Sequence, residues 1–202
     1  MCMSRTPLLT PEFHYIEGET LEHLQPEGWD RLGEQRNAFL AARRADQVFR
    51  MFETLRDQPS FGYEVNMFRH GLQCASQMLR DGHGEDTVVV ALLHDFAYDF
   101  CVDTHGEAAA QLIGPFAAER DEFLLRAHQD FLTVHCPHHH DVDPTAREKW
   151  RGHPHFEWVE AFVDRYDQRT IIAGGLELPL ETFRPMVHRF FERPIRSVRR
   201  GP

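Results

Sequence analysis

The chain has 202 residues, enough for one domain with a substantial buried core. Its 22 Lys and Arg against 32 Asp and Glu give a formal net charge of −10, the wrong sign for a nucleic-acid groove. No run approaches the roughly 20 consecutive apolar residues of a membrane span, and the N-terminus has no signal-peptide-like apolar region, so a cytoplasmic location is expected.

Residues 1–28 read as irregular, because Pro7, Pro11, Gly18, Pro26 and Gly28 interrupt every period. A helix is predicted from Asp30 to Arg56, with Phe39, Leu40, Val48, Phe49, Phe52 and Leu55 available for burial. Gln58-Pro59-Ser60-Phe61-Gly62 breaks it. Further helices are predicted at Glu64–Arg80, Glu85–His94, His105–Ile113, Glu119–Leu132 and His155–Gln168. Asp81-Gly82-His83-Gly84 is a turn between two of them. A last helix spans Thr182–Glu192, with Pro185 in its first turn, and a short basic tail from Arg193 to Arg200 reads as a solvated end. No alternating strand pattern and no internal repeat appears. The expectation is a single all-α domain over residues 29–202 behind the irregular segment 1–28.

Histidine is the compositional anomaly, at 14 residues. Ala91-Leu92-Leu93-His94-Asp95 puts an ionisable doublet at the end of an apolar run that begins at Val88. Such a doublet is costly in a buried helix unless it is partnered, and a divalent cation suits an imidazole and a carboxylate together. His70 precedes it by 24 residues; His105, His128, Asp164 and Asp167 follow on later predicted helices. Read singly, His105 and His128 are each compatible with a cap or a satisfied core histidine, and Asp167 with a salt bridge to Arg165 or Arg169. His83, His153, His155 and His188 read as structural. Cys2, Cys74, Cys101 and Cys136 lack Cys-x-x-Cys spacing and read as reduced thiols, with Cys74 as core packing. The donor-rich His135-Cys136-Pro137-His138-His139-His140-Asp141 stretch reads as a surface loop, able to lend a histidine to a pocket; consecutive donors do not readily converge on one ion.

The order His, His-Asp, His, His, Asp over successive helices resembles the HD superfamily. His70-Gly71-Leu72-Gln73-Cys74-Ala75 is similar to the His-Ala-Leu-Gln-x-Ala signature of its di-iron oxygenases, a group that includes the phosphonate-cleaving HD oxygenases and, more distantly, myo-inositol oxygenase. The similarity runs from Asp46 to Arg169 and closes on Arg165-Tyr166-Asp167-Gln168. It implies an HD-domain helical bundle in which His70, His94, Asp95 and Asp167 hold one iron, and His105, His128 and a shared, catalytic Asp95 hold the other. Asp164 is the alternative last ligand. It also implies a mixed-valent Fe(II)/Fe(III) pair that uses O2, without an external reductant, to cleave a C–C or C–P bond beside a hydroxyl of a small-molecule substrate.

The chain departs from that pattern around the substrate. Ser60 and Tyr63 stand where the phosphonate-cleaving members carry a gating Tyr and Glu, with Glu64 displaced by one. Tyr98 replaces a histidine four residues after His94, and Leu132 replaces a phosphonate-holding Lys. Ser60, Tyr63, Tyr98 and Leu132 are therefore the expected pocket residues. Lys149, Arg126 and Arg169 are the candidates to meet an anionic substrate. The same donor set also serves Mn, Co or Mg in HD phosphohydrolases acting on small phosphate esters or nucleotides. Those enzymes often carry Lys or Arg just after His-Asp, where this chain has Phe96-Ala97-Tyr98.

Overall fold

The computed structural model describes residues 7–196; Cys2 and residues 197–200 of the basic tail lie outside them. The described residues form seven α-helices joined by loops and 3-10 turns, with no β-strand among them. They are α1 (Pro26–Glu53), α2 (Met67–Arg80), α3 (Glu85–Leu93), α4 (His105–Ile113), α5 (Glu119–Leu132), α6 (Phe156–Arg165) and α7 (Arg184–Phe191). None is long and apolar enough to cross a membrane.

The chain divides into two compact units, Met1–Arg44 and Ala45–Pro202. The first contains a 3-10 turn at Leu21–His23 and the N-terminal part of α1, and none of its described residues is fully buried. α1 starts at Pro26, ahead of the expected Asp30, because the fixed φ of proline suits a first helical position.

The second unit is built around α3. Thr87 to Leu93 are all buried, so beyond its first turn α3 has no solvent face and serves as the central rod, packed by α2 and α7. α4 pairs with α5, and α5 with α6. Two glycines set the closest helix approaches. A Cβ on Gly71 of α2 would lie 2.5 Å from the Leu92 carbonyl oxygen of α3, and one on Gly106 of α4 would lie 2.5 Å from the Leu125 carbonyl oxygen of α5. Only glycine permits those backbones to touch.

Several boundaries differ from the expected ones for local reasons. α2 begins at Met67 instead of Glu64, because Asn66 caps it. The Asn66 side-chain oxygen accepts from the Arg69 N–H at 3.1 Å, and its amide donates to the carbonyls of Leu55, Arg56 and Gln58. α6 ends at Arg165 instead of Gln168. Tyr166 leaves helical geometry (φ −120°, ψ −66°), and Asp167 rises from a separate 3-10 turn, Asp167–Arg169. The Thr170 hydroxyl lies 3.1 Å from the Tyr166 carbonyl and 3.0 Å from that of Asp167, in place to satisfy an acceptor that the helix end leaves open. The expected solvated tail is docked at its start: Arg193 pairs with Asp86, and Arg196 donates to the Gly114 carbonyl at 2.8 Å and pairs with Glu122.

Candidate metal centre

Four helices and one turn of the second unit deliver a single buried cluster. His70 comes from α2, His94 and Asp95 from the C-terminal end of α3, His105 from the first residue of α4, His128 from α5, and Asp167 from the turn after α6. The four histidines and Asp167 are at most 4% exposed.

Each imidazole is oriented by its outer nitrogen. Nδ1 lies 3.1 Å from the Thr170 carbonyl in His70, 2.8 Å from that of Ala91 in His94, 2.7 Å from that of Val102 in His105, and 3.0 Å from that of Leu125 in His128. A carbonyl can only accept, so Nδ1 carries the proton in all four rings, and a neutral ring then turns the Nε2 lone pair inward. The inward nitrogens meet in pairs, His70 with His94 at 3.2 Å and His105 with His128 at 3.1 Å. The two glycines account for these distances, since each follows the first histidine of a pair and brings its helix against the helix that carries the second.

The carboxylates complete two groups. Asp95 Oδ1 lies 3.0 Å from His105 Nε2 and 3.1 Å from His128 Nε2, while its Oδ2 lies 3.4 Å from His70 Nε2 and 3.6 Å from His94 Nε2. One carboxylate therefore faces both pairs. Asp167 Oδ1 is 3.5 Å from His70 and 3.7 Å from His94, and its buried Oδ2 has no hydrogen-bond partner. The donor atoms of His70, His94, Asp95 and Asp167 fall within 4.8 Å of one another, as do those of Asp95, His105 and His128. Both groups fit a metal ion. Lone pairs that face each other repel unless a cation or proton lies between them, and two imidazoles roughly 2.0–2.1 Å from one ion at near-right angles lie about 3 Å apart.

The electrostatics point the same way. Burial disfavours a charged His94 ring, but Asp95 and Asp167 outweigh it and push its pKa up to about 9. Burial likewise opposes charge on His70, where Cys74 and the Asp167 and Asp95 carboxylates prevail and hold the pKa well above the imidazole range. Burial would raise Asp95, yet His94, His105 and His128 hold it well below the carboxylate range, and His70 and His94 lower Asp167 in the same way. The cluster is thus a net acceptor of positive charge.

A cavity of about 250 Å³ opens onto His70, Asp95 and Asp167. Of the expected pocket residues, Tyr63, Tyr98 and Leu132 line it. Ser60 does not; its hydroxyl donates to the Tyr63 carbonyl at 2.6 Å and so braces a turn in which Phe61 is held at φ 46°. Asp164 stands apart from the cluster and pairs with His135 at 2.8 Å. Only His135 and Cys136 of the histidine-rich stretch reach the cavity, and His138, His139 and His140 are exposed.

The four histidines read as structural have aromatic or polar partners. His83 meets the Tyr166 hydroxyl at 2.9 Å, His153 stacks on Phe123 at 3.6 Å, and His188 pairs with Asp46 at 3.1 Å. Sequence reasoning missed Met67, Gln168 and Ile171 as lining residues. Met67, one helical turn before His70 on the same face, was the one with a readable signal. It also missed the position of Cys74, whose sulfur lies 3.8 Å from His70 Nε2 and 3.0 Å from the Thr170 hydroxyl.

No protein-family model matches the chain, and no curated protein matches it in sequence.

Proposed function

We propose that this protein is a dinuclear metal enzyme of the HD type, a di-iron oxygenase that uses O2 to cleave a C–C or C–P bond beside a substrate hydroxyl. The observation that carries the reading is the pair of inward-facing Nε2 couples spanned by the two oxygens of Asp95, with the unpartnered Asp167 Oδ2 beside one of them. In it His70, His94, Asp95 and Asp167 hold one ion, and His105, His128 and Asp95 hold the second. The irons would supply the activation of O2 and the one-electron chemistry.

The chain's own residues do the rest. Backbone carbonyls lock the four rings in one tautomer, so the donors are set before any ion arrives and need no reorganisation. Asp95 ties the two positions to one rigid helix end. Burial of the cluster excludes bulk water, while the cavity leaves the His70, Asp95 and Asp167 side within reach of a small molecule.

The oxygenase reading draws on the likeness of His70-Gly71-Leu72-Gln73-Cys74-Ala75 to the oxygenase signature, and on the lack of any Lys or Arg among the described residues lining the cavity. Phosphohydrolases holding Mn, Co or Mg often add such a cation beside the metals to hold phosphate, and the described lining of this cavity offers no Lys or Arg. The test is low-temperature electron paramagnetic resonance of iron-loaded protein after mild partial reduction. A spin-half signal with every g-value below that of the free electron is expected from a coupled Fe(II)/Fe(III) pair. Two bound irons per chain without that signal would overturn the oxygenase and favour hydrolysis.

A further inference from the structure

We infer that the ligand of this cavity joins one metal-binding end to an uncharged, largely apolar tail, and that a second anionic group on the tail is rejected. This names the substrate class of the site proposed above and rests on that reading.

The cavity is small. At about 250 Å³ it falls below the roughly 300–1,000 Å³ of pockets that enclose drug-sized molecules, so it holds a small molecule and not the whole of a nucleotide. Its inner end is the His70, Asp95 and Asp167 side of the cluster, so that end of a ligand meets the metals. The walls beyond include Met67, Leu132 and Ile171, and the polar members Tyr63, Tyr98, Cys136 and Gln168 are neither Lys nor Arg. The apolar members offer contact area to a hydrocarbon tail, and the described lining offers no Lys or Arg to pair with a second anion.

The cations expected to meet an anion are occupied elsewhere. Lys149 donates to Asp130 at 2.9 Å, Arg126 pairs with Glu122 at 3.1 Å and with Glu107, and the Arg169 Nε donates to the Asp164 carbonyl at 2.7 Å. Arg69, next to His70 in sequence, is held by both oxygens of Glu177. At the cavity's edge His135 is already engaged by Asp164 at 2.8 Å. A carboxylate or phosphonate on the tail would leave water for walls whose described residues hold neutral donors but no Lys or Arg, close to two carboxylates of the cluster. The acid at the metal end has no such difficulty, because the ions neutralise it.

The test uses the full chain loaded with Co(II) and a matched pair of probes, α-hydroxyhexanoate and α-hydroxyadipate. They share the chelating end and the chain length and differ in the terminal carboxylate. Binding is read from the visible spectrum of the bound cobalt and from calorimetric Kd values. The monoanion is expected to bind at least about tenfold more tightly, a gap of about 1.4 kcal/mol. Leu132→Lys, which places an ammonium on the wall, is expected to close or invert that gap. Equal or tighter binding of the dianion by the unmodified chain would overturn the inference, as would two probes that both leave the cobalt spectrum unchanged. A gap that persists in Leu132→Lys would overturn the wall's role in it. A chain that takes up no cobalt would instead overturn the metal-centre reading, and the inference with it.

Discussion

The cluster consists of two halves built by one device and finished differently. In each half a histidine followed by glycine lies on one helix and faces a histidine on the next, His70-Gly71 against His94 and His105-Gly106 against His128. The inward nitrogens stand 3.2 Å apart in the first half and 3.1 Å in the second. The difference lies in what surrounds them. The first half has two carboxylates, Asp95 and Asp167, with Cys74 and Thr170 behind His70. The second has Asp95 alone. Helix packing thus sets the spacing of each pair, while the carboxylate supply leaves the second half with Asp95 alone and gives the first Asp167 besides.

Loss of Asp95 should break this comparison most severely. On the proposed dinuclear reading, Asp95→Ala is expected to take metal content from two ions per chain to near zero by elemental analysis, because both halves lose a donor and the second keeps only two imidazoles. Two full equivalents in that variant would refute the bridging role. His128→Ala should then separate the halves, with about one ion retained in the first. Asp167→Asn tests the converse. It should weaken the first half by more than the roughly 10–100-fold typical when an outer partner of a metal ligand is lost, with the second half unaffected.

The glycines give smaller and sharper effects. Gly71→Ala and Gly106→Ala each add a methyl 2.5 Å from a carbonyl oxygen, which should cost about 1–3 kcal/mol in denaturant unfolding. Each should also spread its own nitrogen pair, so Gly106→Ala is expected to reduce second-half affinity while the first-half ion stays tight. Equal loss from both halves would show that the two are not positioned independently. The smallest effect belongs to Cys74→Ala. That sulfur touches only the first half, and its loss should cost about 1 kcal/mol of stability and leave two ions in place.

Much of this was legible in the chain. The apolar run from Val88 to Leu93, without a polar face, marks a helix buried on all sides, and the buried rod α3 is what it forms. His70, His94, Asp95, His105 and His128 could be picked out by order and spacing because each lies on or at the end of a helix legible from its periodicity or, for α3, its unbroken apolar run. Asp167 against Asp164 was not decidable that way. On a continuous helix to Gln168 the two would lie three residues apart on one face, and only the break at Tyr166 turns Asp167 inward while Asp164 goes to His135.

The sequence by itself determined the all-α class and the inventory of donors, because periodicity and residue chemistry are local properties that survive without a partner helix. It could not determine the tautomers, the pairing of nitrogens at 3.1–3.2 Å, the placement of the two Asp95 oxygens, or the exclusion of Ser60 from the cavity. Nor could it show that Arg126, Lys149 and Arg169 are engaged away from the cavity. The bonds at Ser60 and at three of the four Nδ1 atoms are local and become visible only in the folded backbone. The nitrogen pairs and the Asp95 contacts to His70, His105 and His128 instead join residues far apart in the chain. Only the packing of α2 on α3 and of α4 on α5, through Gly71 and Gly106, brings those residues within hydrogen-bonding distance.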